Sequence, residues 1–80
     1  MDTLTDPSSS LAASEPMVAE FDEVRVAYGL EADGYRLSRG TRGTVVAIYG
    51  GGAAFAVEIV GLSGGTEVVT LRAEQIEPVR

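Results

Sequence analysis

The chain offers few side chains that could do chemistry, and their absences say as much as their positions. It has no histidine and no cysteine. Ser–His and Cys–His nucleophilic arrangements and the usual zinc and transition-metal ligand sets are thereby excluded. Carboxylates remain, paired in sequence as Asp22-Glu23 and Glu74/Glu77. Neighbours on a strand point to opposite faces, and Glu74 and Glu77 flank a predicted turn, so neither pair suits general acid–base work. Gly50-Gly51-Gly52 resembles a phosphate cradle only on paper. No strand-to-helix transition follows it to supply a helix N-terminus for an anion. No catalytic, cofactor-binding or metal-binding residue is assigned, and the chain is expected not to be an enzyme.

Arginine is the one functional residue type with a pattern. Arg36, Arg39 and Arg42 are spaced three apart, with Tyr35 beside the first. Arginine and tyrosine are enriched at interface hot spots, so Tyr35, Arg36, Arg39 and Arg42 are the candidate partner-binding residues. The competing account is a solvated face on which they balance Glu31, Asp33 and other acids.

Composition bounds what such a patch could bind. Twelve acids face six bases, all arginine, for a net charge of −6. Phosphate neutralisation supplies much of the affinity of nucleic-acid binders, so this balance disfavours nucleic acid. Residues 1–20 carry Asp2, Asp6, Glu15 and Glu20, no base, and several serines and prolines. That segment cannot bury enough apolar surface to offset its ordering entropy and is expected to be a disordered acidic tail. It lacks the basic start and apolar run of a secretory signal, and nothing in the chain reaches the length of a membrane span. Cytoplasm is the expected location.

The elements that position the arginines are all strands. Asp22 to Tyr28 alternates, with Val24, Val26 and Tyr28 on one face. Gly29 to Gly40 is polar and holds the turn dipeptide Asp33-Gly34, which predicts a long excursion. Thr44 to Tyr49 and Ala54 to Val60 read as strands joined by the triple glycine. Gly61 to Gly65 predicts the next hairpin, Thr66 to Arg72 a fourth strand, Ala73-Glu74-Gln75 one 3₁₀ turn, and Ile76 to Val79 a closing edge strand. The expected core is Val26, Val46, Phe55, Val57, Ile59, Leu71 and Ile76, with Val69 also inward. Tyr28 and Tyr49 are expected at the ends of the fold with their hydroxyls in water. This order predicts an all-β domain over residues 21–80: a single five-stranded SH3-like barrel with one 3₁₀ turn before its last strand.

The segments Phe21-Asp22-Glu23-Val24-Arg25-Val26, Gly40-Thr41-Arg42-Gly43-Thr44-Val45-Val46, Phe55-Ala56-Val57-Glu58-Ile59 and Val69 to Val79 together resemble the short bacterial family termed domain of unknown function 4926. More loosely, the chain is similar to KOW-type and other SH3-like barrels, including ferredoxin-docking subunits of electron-transfer complexes. The family brings no assigned biochemistry. Peptide-binding SH3 domains line a groove with aromatics, whereas this chain has no tryptophan and offers Tyr28 and Tyr35, then Ala53-Ala54, then Ala73-Glu74-Gln75 at the corresponding positions. The expected function is a non-catalytic protein–protein interaction module, such as an accessory subunit or a protein that neutralises a neighbouring-gene partner. The alternatives are a KOW-like nucleic-acid- or ribosome-associated module and an electron-transfer docking subunit.

Overall fold

The computed structural model describes residues 18–62 and 64–79. Most of the expected tail, residues 1–17, lies outside them.

The described chain is all β apart from one 3₁₀ turn. Its elements are β1 (Glu23–Val26), β2 (Leu30–Ala32), β3 (Tyr35–Leu37), β4 (Arg42–Tyr49), β5 (Ala54–Val60), β6 (Thr66–Arg72), the 3₁₀ turn (Ala73–Gln75) and β7 (Ile76–Pro78). Five strands form one antiparallel sheet in the order β6-β5-β4-β1-β7, while β2 and β3 form a separate two-stranded sheet. No ladder joins β6 to β7, so the five-stranded sheet is open rather than closed on itself.

Turn chemistry accounts for the connections. Gly50, Gly51 and Gly52 all adopt positive φ between β4 and β5, a region that costs glycine little. Between β2 and β3, Asp33 (φ 52°) and Gly34 (φ 86°) both lie at positive φ, the requirement of a type I′ hairpin. The long excursion expected over residues 29–40 is therefore a hairpin, pairing Leu30 with Leu37 and Ala32 with Tyr35. Leu37 is almost fully buried, and Leu30, Ala32 and Tyr35 pack against the core.

Alternation along the strands sets which side chains are inside. Val24 and Val26 of β1, Phe55, Val57 and Ile59 of β5, Val69 and Leu71 of β6 and Ile76 of β7 are buried, as their spacing predicts. Val46 departs from expectation: it is half-buried, and Val45, with no exposed surface, occupies the core. A β-bulge explains the correction. Val45 pairs with Val57 but Ala47 with Ala56, so Val46 is the extra residue that the ladder leaves over. The core also takes Val18, so the packed part of the chain reaches back beyond the expected boundary at residue 21. Tyr28 lies past the end of β1 and is about half exposed, like Tyr49.

Gly43 answers a different need. A Cβ there would sit 2.5 Å from Val57 Cγ1 and 2.8 Å from the Glu58 carbonyl oxygen. Only a residue without a side chain lets β4 approach β5 this closely.

Candidate functional site

The four candidate residues are set out by two strands and the turn that joins them. Tyr35 and Arg36 belong to β3, and the alternation of a three-residue strand separates them: Leu37 and Tyr35 turn toward the core, Arg36 outward. Arg36 lies directly across from Glu31 in the hairpin, and its guanidinium stands 3.7 Å from that carboxylate. Arg42 opens β4 beside β1, 3.5 Å from Glu23. Arg39, in the turn between the strands, is exposed and makes no ion pair among the described residues.

Thus Arg36 and Arg42 each face an acid, and Tyr35 is partly committed to the core. Register brings Arg42 next to a different cation instead. Arg25 of β1 is its cross-strand partner, and Arg25 in turn donates to Glu77 of β7 at 3.1 Å. Across the outward face of β7, β1 and β4, the two neighbouring arginines are thus each flanked by an acid, Arg25 by Glu77 and Arg42 by Glu23. Pairs this exposed contribute at most about 1 kcal/mol each, so they adjust the surface more than they hold the fold.

The outward face continues onto β5 and β6. Glu23 of β1, Arg42, Gly43 and Thr44 of β4 and Glu58 and Val60 of β5 line a shallow cleft of about 200 Å³ on it. Glu58 is half-buried and meets no cation among the described residues. Val68 is the cross-strand partner of Glu58, and Val60 is that of Thr66, so the two valines are diagonal neighbours on this face. They are 52% and 80% exposed. Phe21, at the entry to β1, is 72% exposed and held at φ 74° by hydrogen bonds that tie residues 21 and 22 to Val45. Alternation places Val60 and Val68 outward beside Ile59 and Val69, but their apolar type does not single them out as surface features, and Phe21 precedes the first strand, where no alternation applies.

The carboxylates that adjoin in sequence are separated in space by their partners. Asp22 accepts from the Ala19 N–H at 2.9 Å, while Glu23 faces Arg42. Glu74 accepts from Arg72 Nε at 2.8 Å, and Glu77 faces Arg25. A backbone hydrogen bond and then the Arg72 guanidinium hold the Glu74 carboxyl below the usual carboxylate range. Among the described residues no group of three or more Asp, Glu, His or Cys side chains could hold a metal ion. No helix among them is long and apolar enough to cross a membrane.

The chain belongs to the family described as Domain of unknown function (DUF4926), which matches residues 20–78. No curated protein and no solved structure matches it. The matched span takes in all seven strands and the 3₁₀ turn, from just before Phe21 to Pro78, the last residue of β7.

Proposed function

We propose that the chain is a non-catalytic protein–protein interaction module built on an SH3-like small barrel. Strand order supports the fold reading. Numbering only the five strands of the main sheet, they pair in the order 5-1-2-3-4, with a long excursion after the first and a 3₁₀ turn before the last, as in SH3-like barrels. The observation that carries the functional reading is the exposure of Phe21, Val60 and Val68. A bulky aromatic held at left-handed φ costs backbone energy, and its ring recovers little by burial in the isolated chain. Contact with another protein would cover it. The location expected for such a module is the cytoplasm.

The test is affinity purification of the tagged chain from its native cell. The expected result is one stoichiometric protein partner retained at raised salt, and its loss when Arg36→Glu and Arg39→Glu are combined. Thermal stability should be nearly unchanged, since both residues are exposed. Isolation of the chain alone at low salt would overturn the reading. Bound RNA that dissociates as salt rises would favour the KOW-like alternative.

A further inference from the structure

The outer strands end the five-stranded sheet in different ways. β7 is three residues long and carries Pro78, which cannot donate to a further strand. β6 is seven residues long, and the alternation of its ladder can be followed residue by residue. Thr70 N–H donates to the Asp33 carboxylate at 2.7 Å, so it points away from β5. Arg72 N–H does likewise, donating to Gln75 Oε1 at 2.7 Å. In an antiparallel pair such outward residues recur at every second position. Thr66 and Val68 therefore turn their backbone groups to the same free edge. Side chains cap the amides of Thr70 and Arg72, and no described residue hydrogen-bonds the outward amides of Thr66 and Val68.

We propose that the edge of β6 over Thr66–Val68 is a docking edge for a short, extended, basic segment of another protein, added as a further strand beside β6. This rests on the interaction-module reading and names its partner chemistry. Backbone pairing supplies affinity in such strand addition, and neighbouring side chains supply selectivity. Here the neighbours are Val68 and Val60, exposed diagonally on the outward face, and Glu58, which makes no ion pair among the described residues, directly across from Val68. Asp33 stands at the next outward amide, that of Thr70. The Arg72 guanidinium of the same strand is held by Glu74 at 2.8 Å. The edge is thus acidic and apolar in a chain of net charge −6, which fits lysine or arginine alternating with aliphatic residues. A second copy of the chain would carry the same net charge of −6, so charge favours a different protein.

The test is a nuclear magnetic resonance titration of the full ¹⁵N-labelled chain with a synthetic hexapeptide alternating lysine and valine. Expected are shift changes centred on Thr66 to Val68 and Val60. A peptide of the same charge N-methylated at alternate amides should bind at least about tenfold more weakly, and so should one alternating glutamate and valine. Val68→Pro removes the free-edge donor without touching the ladder to β5, and should abolish the response. Should that variant fail to fold, Val68→Lys keeps the backbone and should weaken the response by repelling the basic segment. No response at millimolar peptide, an equal response to the N-methylated peptide, or changes centred elsewhere would overturn the proposal. So would concentration-dependent shifts at Thr66–Val68 without peptide, which would mark a second copy as the occupant. Capture of the same native partner by folded Val68→Pro and by the unaltered chain would also reject the edge, and would leave the interaction-module reading standing.

Discussion

Gly43 is the residue on which the meeting of β4 and β5 depends, and its reason is distance rather than backbone freedom. An added methyl would meet Val57 Cγ1, Ile59 Cγ1 and the Glu58 carbonyl oxygen at 2.5 to 3.0 Å. Two of these belong to side chains locked in the core, and the third is backbone, so none can move cheaply. Gly43→Ala should therefore destabilise the domain by about 1–3 kcal/mol, the usual cost of overpacking. Chemical denaturation checks this through a lower midpoint at unchanged slope. A midpoint equal to that of the unaltered chain would show that β4 can move away from β5 without loss. Val45 and Val46 make a related point. Both are β-branched and adjacent, and only the bulge decides that the first is buried and the second half-exposed. Residue type cannot carry that information.

Among the elements, the β2–β3 hairpin meets the main sheet through Leu37 and its apolar neighbours, and Asp33 adds a hydrogen bond at the sheet edge. Its carboxylate caps the Thr70 N–H at the free edge of β6, and its left-handed φ forms half of the hairpin turn. Asp33→Ala loses both features, whereas Asp33→Asn keeps a side-chain acceptor and a residue that tolerates this φ. The expected cost of Asp33→Ala is about 1–3 kcal/mol, local to the hairpin. Hydrogen exchange should show a faster Thr70 amide with Val57 and Val69 unaffected, and Asp33→Asn should recover most of the protection. Uniform acceleration across the sheet would mean that the hairpin is part of the global unit instead. Two strands after this hairpin and the turn were legible to the residue, Ala54–Val60, Thr66–Arg72 and Ala73–Gln75, whereas β4 begins at Arg42, two residues before the expected Thr44, and β7 ends at Pro78, one before Val79. The hairpin itself was obscured by its brevity. Leu30-Glu31-Ala32 and Tyr35-Arg36-Leu37 alternate correctly around Asp33-Gly34, but three residues are too few to establish a period. The charged surface was legible in part. Residue types placed the arginines in and beside a long connection, yet Arg42–Glu23 and Arg25–Glu77 are contacts between strands whose register no local pattern records.

At the scale of the whole molecule, the core is small and apolar throughout. Its buried members are aliphatic apart from Phe55, and no polar or charged residue is buried among those described. Such a core gains from apolar area alone, with no buried ion pair or hydrogen-bond network to add specificity. At about 0.05–0.15 kcal/mol per residue, a domain of roughly sixty residues has only about 3–9 kcal/mol of stability in total. Phe55 lies on β5 between Ile48 of β4 and Leu71 of β6, its partners in the two ladders, and is 2% exposed. Truncating it to alanine removes the one aromatic ring from the core and leaves a cavity on the central strands, a loss of about 3–5 kcal/mol. That is a third or more of the whole stability and can equal all of it. Phe55→Ala should accordingly lose its cooperative thermal transition or melt far below the unaltered chain, as circular dichroism would record. Phe55→Leu, which refills most of the volume, should restore a cooperative melt at an intermediate temperature. If Phe55→Ala instead melts cooperatively near the unaltered chain, the inward face of β5 is not the centre of the core, and the alternation on which the outward positions of Glu58 and Val60 depend fails with it.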